Sequence, residues 1–519
     1  MSTSASAAAA GAISPRRRKL VISASLLALF LGALDALVMS AAMPTVVADL
    51  GGLELFSWVY SAYLLARTVA LPIFGKLADI YRAKTLYLVS IVVFIAASLA
   101  AGCATGMTFL IVCRAFQGIG AGGTFALVYI VLTEISAPEE RGKTLSLGSF
   151  VWGLASVLGP TLGGFIVAYF SWRWIFFINV PLGILSLAGV AKHLIELRKK
   201  REQVAIDLVG AITLSATVLC LLFVFLLGGQ TYVWTSPLIL ALAAGAIAFG
   251  GAFYLFENRA PDPILPIAFF RIRGFSAGNA AVFMSSFAIF AFFGFAPLFI
   301  QGALGKNPME VGTTVLALSL GWSVGSLILG RVINRVGART ASTAGAVLLV
   351  AGCALTLSFS TATSALTCFL VFGLVGIGMG FVALATVLVV QDSVEPSDLG
   401  VATASHQFSR NLGGTVGVGL CGSIFTVRFS RAIESVLAGS LADTIPFEMA
   451  EHLRGHADSL FRPEIQAQIP AAVLPEFQQA LGGAVIAIFW ATLIAAALCL
   501  ACCLLLPGMS QSAATSRRD

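Results

Sequence analysis

Asp35 stands inside the run VISASLLALFLGALDALVMSAAM, which begins at Val21 behind the basic cluster Arg16-Arg17-Arg18-Lys19. A helix needs about 20 apolar residues to cross a bilayer core, and an ionisable group there costs roughly 2.5 kcal/mol or more. Such a group faces a protein interior or a wet cavity, where a carboxylate can take up a proton or pair with a cation. Two cations interrupt other apolar runs: Arg67 in FSWVYSAYLLARTVALPIF and Arg114 in LIVCRAFQGIGAGG. At 1.5 Å per residue, Arg114 lies about 9 Å from the outer start of its run and Asp35 about 12 Å from the outer end of its own. Matched depths let these two pair, and a buried guanidinium favours the ionised carboxylate. Arg67 lies near the middle of its run, about 18 Å from the outer end. It pairs with Asp35, binds an anionic substrate or closes a structural salt bridge, and the spacing leaves all three open.

Weaker signals accompany these. His406 and Arg410 share a helix face at i, i+4 spacing, either as gate or proton-path groups or as side chains snorkelling to the interface. Glu134 reads as an interfacial charge. One run is dense in phenylalanine (Phe283, Phe287, Phe290, Phe292, Phe293, Phe295, Phe299); some line a pocket for flat ligands while most pack or face lipid. All nine cysteines fall in apolar runs, with neither a disulfide framework nor metal spacing with His. Gly142-Lys143-Thr144 ends like a phosphate-binding loop, but Ala137 stands where the first glycine belongs and no strand precedes it. There is no nucleophile–base–orienter set. The chain therefore reads as neither an enzyme nor a self-powered pump, with no catalytic residues, no cofactor and no metal site.

The elements that must hold these groups are membrane spans. The 519 residues are 58% hydrophobic and 11% charged, against roughly 25% charged in a soluble domain. In a soluble protein a net charge of +7 would suggest nucleic acid or acidic partners; here the basic residues cluster in short loops and report topology instead. Ser40 to Met43 imitates a signal cleavage site, yet the run before it is too long for a signal peptide and contains Asp35, so it reads as a retained first span. Fourteen spans are expected near residues 20–43, 55–77, 85–105, 108–132, 144–169, 172–193, 207–228, 236–256, 275–300, 310–333, 340–360, 364–390, 399–427 and 478–506. With Lys76, Arg82, Lys84, Arg141, Lys143, Arg198 to Arg201, Arg335 and Arg339 inside, both termini are cytoplasmic.

A repeat aligns two loops of the basic side: GKLADIYRAKT from Gly75 and GRVINRVGART from Gly330, with Asp79 opposite Asn334. The halves then share one orientation. The expected fold is an all-α polytopic membrane protein, two parallel six-helix bundles (1–197 and 263–519) with two inserted central helices (198–262) and an extracytoplasmic loop at 428–477.

Four stretches carry a resemblance that covers essentially the whole chain. LDALVMSAAMP, from Leu34, resembles the first-span motif LDxTIVNVALP, with Asp35 and Pro44 matching and Leu37 and Ser40 replacing Thr and Asn. GKLADIYRAK resembles the loop motif GxLaDrxGRk at Gly75, Leu77, Asp79 and Lys84, with Arg82-Ala83 in place of Gly-Arg. LIVCRAFQGIGAGG resembles the fourth-span motif that carries an arginine, here Arg114. GLASVLGPTLGG resembles the exporter motif GPxxGG at Gly159, Pro160, Gly163 and Gly164. WRWIFFINVP, from Trp172, and the Asp207–Gly210 start of the seventh span support these. Together they resemble the major facilitator superfamily, in its 14-span drug:proton antiporter branch (EmrB/QacA type).

The resemblance implies multidrug efflux, with Asp35 and Arg114 as the proton-coupling pair; Arg67, a departure from the family, is expected in substrate binding together with Tyr63, Gln117 and Trp152. The resemblance also implies that Gly75, Asp79, Arg82, Lys84 and the Gly159–Gly164 motif work in gating, with Asp79 capping a helix of the opposite half near Asp398 to Val401. Arg67 stands where the family usually has a small residue. The physics of Pro160 and its glycines by itself says kinked packing seam. The favoured reading is a substrate:proton antiporter of an inner membrane, whose partners are a small molecule, protons and the lipid bilayer. It is expected to act as a monomer, with nothing to support a periplasmic adaptor. A metabolite facilitator or symporter, and a non-transporting sensor or scaffold using 428–477, stand as alternatives.

Overall fold

The structure, a computed structural model, describes residues 14–50, 56–137, 140–195, 207–229, 232–260, 263–306, 308–438 and 473–507. Each expected span is a helix. The first half holds α1 (Pro15–Leu50), α2 (Phe56–Ile80), α3 (Ala83–Gly102), α4 (Met107–Glu134), α5 (Arg141–Tyr169) and α6 (Trp174–His193, interrupted at Ile178). Then come α7 (Leu208–Leu227) and α8 (Pro237–Glu257). The second half holds α9 (Arg273–Leu298), α10 (Pro308–Val336), α11 (Ala338–Thr356), α12 (Ala365–Asp392), α13 (Leu399–Leu437) and α14 (Leu474–Leu504). Among the described residues, 12 helices are long and apolar enough to cross a membrane. The other two are α2, whose Arg67, Lys76 and Asp79 dilute its hydropathy, and α7, whose apolar core spans Val209–Phe225.

Capping marks where the helices begin and end. Ser236 and Ser364 accept the backbone N–H of Ile239 and Thr367, and Asp207 accepts that of Gly210 at 2.7 Å. The closing helix of each half is held by arginine. Arg17 of α1 donates to His193 O at 2.8 Å, and Arg273 of α9 and Arg339 of α11 donate to Leu505 O and Leu504 O. A cation from the first helix of each half therefore satisfies the end of its last helix, a second sign of the repeat seen in the loops.

Two boundaries differ from expectation. α1 continues through Pro44 to Leu50, and its Asp49, beyond the apolar stretch Pro15–Met39, accepts Arg173 Nη1 at 2.7 Å and Trp172 Nε1 at 3.0 Å. The Arg173 bond first, then the Trp172 bond, holds the Asp49 carboxyl below the usual carboxylate range. α13 runs to Leu437, so residues 428–437 are helix, not loop. Phe429, Ile433 and Leu437 recur every fourth residue and bury their side chains against Val473, Phe477 and Leu481 at the start of α14. The rest of the expected outer loop, 439–472, lies outside the described residues, as do the linker cations at 198–201.

The core of the first half continues into the second through Leu329, Ile333 and Leu384, and the second half has an aromatic core of its own. In the second half, Phe292 stacks on Phe489 and Phe299 on Phe359, with centroids 5.2 and 5.6 Å apart. Most of the phenylalanine run is thus core; Phe290 and Phe293 face the interior cavity described below. The inserted pair is central in sequence and peripheral in space. α7 seals the seam between α2 and α13 with Leu214, Val218 and Leu222 against Leu65, Phe408 and Leu412. α8 packs on α7 and leaves Leu240, Ile247 and Leu255 exposed, as a lipid-facing helix should.

Candidate functional site

Glycines on α4 set the frame of the site. A Cβ at Gly122 would sit 2.5 Å from Arg67 O, so α2 lies directly on α4 and carries Tyr63 and Arg67 inward. Opposite them, α1 and α6 supply Asp35 and Asn179. Asp35 and Arg114 are each 1% exposed, and Arg114 Nη1 lies 2.6 Å from Asp35 Oδ2. The other carboxylate oxygen accepts Gln117 Nε2 at 2.8 Å and Asn179 Nδ2 at 3.0 Å. Ser98 Oγ accepts both amides in turn, at 2.7 and 3.4 Å, and Arg114 also donates to Gln117 Oε1 and Val59 O. A buried carboxylate from α1 thus holds one guanidinium and two amides from α4 and α6, with Ser98 of α3 behind the amides.

Tyr63 joins this network to a cavity. Arg114 lies over its ring at 4.2 Å, its hydroxyl donates to Gly32 O at 3.1 Å, and Arg67 follows one turn later on the same helix. Arg67 does not reach Asp35. It stacks over Phe125 at 4.0 Å and faces Trp152 at 5.6 Å. The cavity, about 350 Å³, lies between the halves, with Ala36, Leu37, Arg67 and Trp152 on one wall and Phe290, Trp322, Arg410 and Asn411 on the other. Arg410 is 7% exposed and His406 is 1% exposed. They are therefore interior groups, not snorkelling ones, and His406 bonds Thr386 at 2.9 Å. Gln117, expected to bind substrate, sits in the Asp35 network and is not among the cavity's lining residues.

The gating residues divide by location. Asp79 receives the backbone N–H of Gly400 at its Oδ1 and of Val401 at its Oδ2, both at 2.9 Å. Asp398, the residue preceding α13, makes no side-chain cap of its own, so a carboxylate from the other half takes its place. A Cβ at Gly75 would meet Gly400 O at 2.9 Å. At the aligned Gly330 on α10 an added Cβ would likewise meet α5, 2.8 Å from Gly142 O. Arg141 to Asp392 (3.7 Å) and Gln391 to Thr133 (3.1 Å) add further contacts between the halves at this end. Arg82 is exposed and Lys84 half-buried. Gly159 packs on α1 at Leu37, Gly163 is buried and Gly164 faces open space; α5 is helical through Pro160, whose side chain is outside the described residues.

Asn179, Ser98, Trp322 and Arg410 complete the two sites. Arg410 stood out in the sequence as a charge beside His406, and Asn179 carried a signal as the polar residue inside the apolar stretch WIFFINV; Ser98 and Trp322 carried none.

A helical membrane protein whose two halves enclose a cavity beside a buried acid–base network is built as a secondary transporter. The family model of the Major Facilitator Superfamily matches residues 25–418 and 278–515, and the chain belongs to that superfamily. It is 34% identical over 493 residues to the "Multidrug transporter protein MdtP" of Bacillus subtilis (strain 168), covering 92% of this chain and 91% of that one. It is 32% identical over 480 residues to "Multidrug resistance protein 3" of the same organism, covering 92% of each. The crystal structure of the human organic anion transporter MFSD10 (TETRAN) matches 93% of this chain and 100% of its own with a TM-score of 0.60; at 12% identity the likeness concerns the fold alone.

Proposed function

We propose that the protein exports small amphiphilic compounds in exchange for protons, across an inner membrane, with the end bearing Asp79 and both termini in the cytoplasm. The observation that carries this reading is the Asp35 carboxylate, buried mid-span and bonded to Arg114, Gln117 and Asn179. Ala36 and Leu37, the next residues of α1, line the cavity. A proton taken up at Asp35 removes the counter-charge of Arg114, and leaving a buried partner unpaired costs about 3–5 kcal/mol. α1, α4 and α6 must then repack, and Tyr63 passes that change to Arg67 at the cavity.

In the cycle, protonation of Asp35 from the outer side releases substrate and loosens the Asp35–Arg114 pair. The halves rock, the Asp79 cap on α13 opens, and substrate entering from the cytoplasm or inner leaflet displaces the proton inward. Coupling requires that proton and substrate exclude each other. The names of the two Bacillus relatives favour drug-like substrates. The test is proton movement in energised inside-out vesicles, for the wild type and Asp35→Asn. Substrate-dependent proton release in the wild type and none in Asp35→Asn is expected, with insertion and folding of the variant intact. Full proton-driven efflux by Asp35→Asn would overturn the assignment.

A further inference from the structure

We propose that the cavity between the halves takes an amphiphilic organic anion, with its oxyanion at Arg67 and Arg410 and its apolar body against the aromatic wall. This rests on the reading of the chain as a small-molecule exporter and names its substrate class. Arg67 and Arg410, 3% and 7% exposed, come from opposite halves and share one ring, lying 4.0 and 6.0 Å from the Phe125 centroid. Arg410 also faces Trp322 at 5.9 Å. No carboxylate lines the cavity among the described residues. Asp35, the acid nearest in sequence to that lining, is already engaged by three donors.

Among the residues that line the cavity, the unsatisfied groups are of one kind. Arg67 Nε, Trp152 Nε1 and Trp322 Nε1 are buried donors with no protein acceptor. Each such donor costs about 1–3 kcal/mol until an acceptor arrives. Stacking on an aromatic face returns about 2 kcal/mol to a desolvated cation, less than the several kcal/mol that burying it costs. A single oxyanion supplies the missing counter-charge to two guanidiniums. A cation in the same place meets two like charges with no acid to offset them. The volume, about 350 Å³, suits a compact aromatic or polycyclic body. Phe290, Phe293, Trp152 and Trp322 supply the surface for it.

The experiment is calorimetric titration of the full-length protein in nanodiscs with three isosteric probes: a naphthalene bearing a carboxylate, a carboxamide or a trimethylammonium group. The carboxylate should bind about tenfold tighter than either of the others. Arg67→Gln and Arg410→Gln should each abolish that preference while leaving carboxamide affinity within about twofold, and Arg67→Lys should keep part of it. If Arg67→Gln does not fold, Arg410→Gln carries the test. Tighter binding of the ammonium or carboxamide, no binding of the carboxylate, or a preference that survives both substitutions overturns the proposal. Proton release measured with the same probes separates it from the antiport reading. Arg67-dependent carboxylate binding without proton movement would sink antiport alone, whereas Asp35-dependent proton movement driven only by the ammonium would sink the anion site alone.

Discussion

Asp35 differs from an ordinary buried acid in the number of donors it collects. Each carboxylate oxygen is engaged, and the donors are unequal in kind. Arg114 brings charge; Gln117 and Asn179 bring neutral amides. A hydrogen bond to a charged group contributes about 1.5–3 kcal/mol and one between neutral groups about 1 kcal/mol. Asn179→Ala should therefore destabilise the protein by about 2 kcal/mol and Ser98→Ala by about 1 kcal/mol. Thermal unfolding in detergent reads both, and equal effects would mean that Asn179 serves packing rather than the carboxylate. Asp35 and Arg114 were legible because a charge inside an apolar run is conspicuous. Ser98 was not, because a hydroxyl in a span ordinarily bonds its own helix backbone and leaves no trace in the pattern.

Among elements, the meeting of α2 with α13 is the most constrained. Its closeness depends on Gly75 and Gly400, and its polarity on Asp79 at a helix N-terminus. A Cβ at Gly400 would lie 2.5 Å from both Asp79 Oδ1 and Gly75 O. Gly400→Ala should push the two helices apart at this end, since backbone has no room to yield. Spin labels at the exposed positions 82 and 395 would report a longer distance than in the wild type. An unchanged distance with unchanged transport would mean that this contact does not hold the end closed. The aligned loop carries Asn334 where the first has Asp79, so the two halves are alike in backbone contact and unlike in charge.

For the whole molecule, the described contacts between halves run from the cavity to the end that carries Gly75 and Gly330. Alternating access requires that end to open. At Gly142 an added Cβ would come within 2.7 Å of Ile333 Cγ2, near enough for a disulfide to bridge α5 and α10. Gly142→Cys combined with Ile333→Cys should lose substrate flux on oxidation and regain it with reductant, while Ile333→Cys alone keeps its flux under both conditions. Undiminished flux in the cross-linked protein would exclude rocking about the cavity.

The spans, the repeat and the buried Asp35 could all be read along the chain, because the cost of placing polar groups in hydrocarbon is imposed residue by residue. The neighbours of those groups were another matter. Helices in lipid associate through close packing, without a hydrophobic drive that would leave a pattern. Depth alone could thus match Asp35 with Arg114, yet it left open a pairing of Arg67 with Asp35. Rotation of α2 against the glycines of α4 decided that question. It turned Arg67 onto Phe125 and toward the cavity, where Arg410 of the other half meets it. Periodicity and charge along one chain determine which segments cross the membrane; which two charges share a cavity depends on how helices from both halves rotate as they pack.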